Sequence, residues 1–89
     1  MFTSWGVETT HKFAAEDIQV ALEALNDEAY GTVLRAKGIV AATDGSWIHF
    51  DYVPGEPDVR TGSPDVTGRL CVIGAGLDKA AIAALFGIN

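Results

Sequence analysis

Five side chains in the middle and late parts of this chain have the chemistry to bind something. They are Arg35 and Lys37 in VLRAKGIV, His49 and Asp51 in WIHFDYV, and Cys71 in RLCVIG. His49 and Asp51 are two residues apart and share a face of any strand that carries them. A cysteine on the same face of a neighbouring strand would complete a nitrogen, oxygen and sulfur set for a transition metal. The plainer reading treats His49 and Asp51 as solvated or interface groups and Cys71 as a small hydrophobe, since there is no CxxC and no HExxH. Arg35 and Lys37 likewise have two readings. They pair across strands with carboxylates such as Glu8 or Asp51, or they hold a carboxylate or phosphate of a partner, where Arg offers bidentate contacts. Trp47 nearby favours an interface, because Trp and Arg recur at binding hot spots.

Other constellations carry less. VIGAGLDK leads from a strand through Gly74-Ala75-Gly76 to a helix start, which superficially matches a phosphate-cradling loop. Lys79 stands where that fingerprint needs its third glycine, and Asp78 would repel phosphate, so a plain strand-to-helix turn is the better reading. Ser4, Ser46 and Ser63 fall in or near turns without a positioned base, and no nucleophile elbow or dyad is present; the chain is read as no enzyme. His11 reads as a surface residue leading into the first helix.

Elements must position these groups. SWGVETT predicts a first strand with Trp5, Val7 and Thr9 on one face, and residues 14–26 predict a helix with Ala14, Ile18, Ala21, Leu22 and Leu25 on its apolar side. VLRAKGIV predicts a second strand whose dry face is Leu34, Ala36, Gly38 and Val40. Asp44-Gly45 signals a hairpin into WIHFDYV, the third strand, with Ile48, Phe50 and Tyr52 facing the helices. Residues 54–68 hold all three prolines and read as a long loop or irregular edge. RLCVIG is the fourth strand, Asp78 an N-cap for the second helix, and Gly87 the residue that ends it.

The expected fold is α+β: a two-layer sandwich in β-α-β-β-β-α order, with two helices on one face of a mostly antiparallel four-stranded sheet. The expected core is Ile18, Leu22, Leu25, Leu34, Val40, Ile48 and Phe50, continued by Leu70, Val72, Ile82 and Leu85. The other face would collect Arg35, Lys37, Trp47, His49, Asp51, Arg69 and Cys71, and all of these but Cys71 form the candidate interaction face.

Composition bounds the function. At 89 residues the chain is read as one domain, 1–89, with 48% hydrophobic and 20% charged residues, a globular composition. A net charge of -6, with six cations that form no basic stripe in the sequence, argues against nucleic acid and anionic membranes. One cysteine allows no internal disulfide, and neither a signal peptide nor an 18-residue apolar span is visible, so a cytoplasmic location is expected.

The ordered set Ser4-Trp5, Lys12-Phe13, Ile18 to Leu25, Arg35-Ala36-Lys37-Gly38 and Ile73 to Asp78 resembles the C-terminal domain of the CobW family of P-loop GTPases over about residues 4–86. The resemblance implies a noncatalytic accessory domain of a GTP-dependent metallochaperone serving metal insertion, cobalamin biosynthesis or zinc homeostasis. It implies that GTP, Mg and a transition metal, Zn or Co, belong to the parent chain, whose N-terminal GTPase domain lies outside this one. This chain contains neither G-x-x-x-x-G-K-[ST] nor C-x-C-C, and an excised piece is the favoured reading. The implied partners are that GTPase domain and a client metalloprotein, with a homo-oligomer as a further option. The alternatives are a free-standing module that self-associates through the same face, and a small metal-binding protein using His49, Asp51 and Cys71.

Overall fold

A computed structural model describes residues 1–88. Its elements are β1 (Phe2–Thr9), α1 (Ala15–Ala24), β2 (Thr32–Ala41), β3 (Trp47–Val53), β4 (Glu56–Thr61), β5 (Gly68–Ala75) and α2 (Lys79–Leu85), with one 3-10 turn at Glu28–Tyr30 before β2. The strands form a single sheet in the order β1-β5-β2-β3-β4, antiparallel throughout. The fold is α+β, as expected, but the sheet has five strands and not four.

The additional strand, β4, lies inside the segment expected to be a loop. Pro54-Gly55 turns the chain back on itself, with Gly55 at a φ of 79° that a side chain would resist. Residues 56–61 then pair with β3 from Val53↔Glu56 to Ile48↔Thr61. Pro57 sits within this strand because β4 is the sheet edge, where a missing N–H costs no interior ladder bond.

A second correction concerns β2. Its register against β5 shifts between Val33 and Arg35, so alternation breaks at that point. Val33 is buried at 5% exposure, whereas Leu34, expected in the core, is 40% exposed. Beyond the bulge the expected alternation holds, with Ala36 and Val40 buried and Arg35 and Lys37 exposed.

Both helices lie on one face of the sheet. Ile18 and Leu22 of α1 and Ile82 of α2 are fully buried against Val40, Ile48, Phe50, Tyr52, Leu70 and Val72. Burying each such aliphatic side chain contributes about 1.5–3 kcal/mol, which makes this core the main source of stability. Phe86, just past α2, stacks with both Trp5 and Phe50 at centroid distances of 6.1 and 6.3 Å. Leu85 is only partly buried beside it.

Phe13 belongs to the core as well, although the sequence pattern did not place it there. Its N–H donates to the Ala41 carbonyl at 2.9 Å, and its own carbonyl accepts from Thr43 at 3.0 Å, which carries the ring inward.

Local signals read from the sequence work as capping and turn chemistry. The Asp44 carboxylate accepts the Ser46 N–H at 2.9 Å and its hydroxyl at 2.5 Å, closing the β2–β3 hairpin; these bonds hold its pKa below the ordinary value. The Asp78 carboxylate accepts the Ala81 N–H at 3.0 Å and caps α2. Gly74 lies so close to the Thr32 carbonyl that a Cβ there would collide with it, so this glycine serves strand packing. The end of α1 is tied to the β3–β4 hairpin through Asn26, whose side-chain oxygen accepts from the Tyr52 hydroxyl at 2.5 Å and from the Gly55 N–H at 3.0 Å. Burial pushes the Tyr52 phenol above its ordinary pKa. Among the described residues, no helix is long and apolar enough to cross a membrane.

Candidate functional site

With the helices on one side, the other side of the sheet is left uncovered. It forms an open concavity of about 700 Å³ whose lining includes Glu8, Arg35, Lys37, Ile39, His49, Asp51, Arg60, Arg69 and Cys71. Strand alternation puts them there. Glu8, Arg69, Ile39, His49 and Arg60 are successive register partners across β1, β5, β2, β3 and β4. Gly6, Cys71, Lys37, Asp51 and Asp58 form the adjacent row. Trp47 begins β3 opposite Ala41 at the hairpin end and does not line the concavity.

Asp51 is the electrostatic centre of this face. One carboxylate oxygen accepts from Arg35 at 3.3 Å and the other from Arg60 at 3.1 Å. Burial pushes the carboxyl pKa up, but the hydrogen bonds and charges of Arg60 and Arg35 outweigh it and hold the group below its ordinary value. Arg60 also reaches Asp58 at 2.5 Å, and Arg69 reaches Asp65 at 3.4 Å. Lys37 is the register neighbour of Asp51, yet it has no ion-pair partner among the described residues.

His49 has a different task. Its Nε2 lies 2.8 Å from the Ser63 carbonyl, and a carbonyl only accepts, so this nitrogen carries the proton. A Cβ on Gly62 would come within 2.5 Å of the imidazole, so the segment after β4 packs directly on the ring. Cys71 is half-buried on β5, with Lys37 opposite it and between it and Asp51 in the row. Among the described residues, no three His, Cys, Asp or Glu side chains gather in the way a metal would require.

The structure therefore brings Arg35, Lys37, His49, Asp51, Arg69 and Cys71 to one concavity, with Trp47 at its margin. Sequence reasoning missed Arg60, because the three prolines of 54–68 masked a strand. The signal was there in EPDVRT, where Asp58 and Arg60 alternate with Pro57 and Val59. It also treated the cations as scattered. Of the six Lys and Arg residues, Arg35, Lys37, Arg60 and Arg69 line this one concavity, against the carboxylates of Glu8 and Asp51. With Asp58 and Asp65 paired to Arg60 and Arg69, the face carries four cations and four carboxylates, a local balance in a molecule of net charge -6.

Comparison with known proteins gives this geometry a setting. The family described as "Cobalamin synthesis protein cobW C-terminal domain" matches residues 2–87. Among curated protein sequences none matches. Among solved structures, the chain is similar to the Zn(II)-bound YjiA GTPase from E. coli, with 24% identity and a TM-score of 0.77, over 99% of this chain and 30% of that one. It is also similar to a Zn(II)-bound triple mutant of YjiA GTPase, with 22% identity and a TM-score of 0.79, over 96% and 28%. At these identities the structural likeness concerns the fold, and the chain spans about 30% of the length of the GTPases it matches. The family match over nearly every residue, together with the five-stranded sheet and its two helices, makes this chain a member of the CobW C-terminal domain family.

Proposed function

We propose that this chain is the noncatalytic accessory domain of a CobW-type, GTP-dependent metal-handling protein, and that it works by docking through the open face of its sheet. The observation that carries the reading is the concentration of Arg35, Lys37, Arg60 and Arg69 around Asp51 on the one sheet face the helices leave uncovered. Such a face suits recognition, because its guanidinium groups can exchange an internal carboxylate for one on a partner. The partner is the GTPase domain of the same parent chain, or a client metalloprotein presented to it. GTP and Mg belong to that domain, and the metal, Zn or Co, is cargo of the parent. The Zn(II)-bound neighbours agree with a metal-handling parent. Metal insertion, cobalamin biosynthesis and zinc homeostasis are the processes such a protein serves.

The test is charge reversal of Arg35→Glu and Lys37→Glu together in the full-length parent. Association between the two domains, or with the client, should weaken about tenfold while the far-UV spectrum and melting of the domain stay intact. Undiminished association by a folded double variant would remove the open face from the reading. Sedimentation at several concentrations covers self-association: a dimer that the double variant abolishes would replace the GTPase domain by a second copy as occupant.

A further inference from the structure

The two edges of the sheet are not alike. β4 closes one side with Glu56, Pro57, Asp58 and Arg60, and proline and charge are what keep an edge from pairing with another strand. β1 closes the other side with FTSWGVET, which has no proline, no cation and a single carboxylate, Glu8. Its residues pair with β5 in unbroken register from Phe2↔Ala75 to Thr9↔Gly68. Alternate residues of a strand aim their N–H and C=O groups to opposite sides, so half of those in β1 point away from β5. Among the described residues these groups meet no backbone partner. Trp5 and Val7 pack on the core from the helix face and stay half-buried, with no strand beyond them.

A second copy of β1 matches this edge. Two strands extend one sheet, with their inward faces aligned, only when opposed residues have the same parity. An antiparallel pair centred on Gly6 opposes Trp5 to Val7, Thr3 to Thr9, Ser4 to Glu8 and Gly6 to itself. Aromatic with β-branched and Thr with Thr are favourable cross-strand pairs, and the Ser4 hydroxyl can donate to the Glu8 carboxylate. The two copies of Glu8 are then four residues apart along the strands, about 14 Å, beyond the screening length of about 8 Å at physiological salt. Centring the pair on Trp5 instead sets Phe2 against Glu8 and Thr3 against Val7, so Gly6 is the better centre.

We propose that β1 is a self-association edge, at which two copies of this domain pair β1 to β1, antiparallel, about a two-fold axis at Gly6. The strand's own residues select the occupant, because Thr3 to Thr9 is its own complement. In the joined sheet the helices of both copies lie on one side and both concavities on the other, so the open face stays free. The edge and the docking face are separate surfaces, and either role can hold without the other.

Sedimentation equilibrium of the 89-residue chain, over an about hundredfold range of concentration reaching about 1 mM, should show a reversible monomer–dimer equilibrium. Hydrogen exchange read residue by residue should show the β1 amides aimed away from β5 slowing as concentration rises, while the amides between them are protected throughout. Gly6 supplies the decisive variants, because at the axis it faces itself. A Cβ there meets only the Leu70 carbonyl, at 3.7 Å, so Gly6→Lys and Gly6→Glu should fold and melt like the wild type under dilute conditions. Each variant alone should dimerise about fivefold more weakly, as like charges meet, and an equimolar mixture of the two should recover the association. Arg35→Glu with Lys37→Glu should leave the dimer intact. A monomer at every concentration, a dimer without alternating protection in β1, or Gly6 variants that dimerise like the wild type or fail to recover on mixing would each overturn the inference. Loss of the dimer in Arg35→Glu with Lys37→Glu would overturn it too, by moving the contact to the open face.

Discussion

Asp51 sits between two guanidinium groups with its side chain 38% exposed, so its stabilising effect is partly screened by solvent. The sign of its pH dependence follows from the lowered pKa. A carboxylate held below its unfolded value, about 3.9, contributes stability that is complete above that value and is lost as pH falls through the folded one. Asp51→Asn keeps the shape and removes the charge. At pH 7 the variant should be less stable, by under about 1 kcal/mol given the exposure. The gap should begin to narrow below about pH 4 and close only once the pH has fallen below the depressed folded-state pKa, where the wild-type carboxylate is protonated as well. Thermal melts of both from about pH 7 down to about pH 2 measure this. A gap that shows no narrowing down to about pH 2 would mean that Asp51 acts through packing and not through its charge.

At the scale of elements, the bulge in β2 decides which of two neighbouring residues belongs to the core. Val33 is buried and Leu34 is 40% exposed, the reverse of what strict alternation assigns. Val33→Ala should therefore cost roughly 2 kcal/mol through lost burial and an unfilled gap. Leu34→Ala should stay within about 0.5 kcal/mol of wild type, as surface substitutions do. Urea unfolding of the two variants separates the possibilities, and equal losses would argue against the bulge. The same element shows where sequence reading succeeds and stops. Period-two alternation correctly put Arg35 and Lys37 on the uncovered face and Ile48, Phe50 and Tyr52 on the covered one, because each side chain's face follows from its parity. It misplaced Leu34 because a bulge is a two-strand event, set by the partner β5, and leaves no mark in the β2 residues alone. It missed β4 because proline is excluded only from interior strands, and the edge position of β4 is a property of the assembled sheet. Arg60, and with it half of the clamp on Asp51, was lost for the same reason.

For the molecule as a whole, folding segregates charge that is scattered in the sequence. Four of its six cations gather in the concavity, while α1 carries Glu16, Asp17 and Glu23, with Asp27 and Glu28 following it, on the opposite layer. The helix layer repels itself, whereas the surface ion pairs contribute little each. Salt should then act in opposite directions on stability and on binding. Raising the ionic strength screens the self-repulsion of a chain with net charge -6, and relief of about 0.5 kcal/mol corresponds to a rise in Tm of roughly 2–4 °C at this size. The same salt weakens docking through Lys37, Arg35, Arg60 and Arg69, because contacts made by these exposed groups are ionic. Melts of the domain and association measurements on the full-length parent, at matched NaCl concentrations from about 20 to about 500 mM, test both limbs. Rising Tm with falling affinity supports docking through ion pairs on a body of net charge -6. A Tm that falls with salt would show instead that the Asp51 network, and not the repulsion it is set against, dominates the electrostatic balance of the domain.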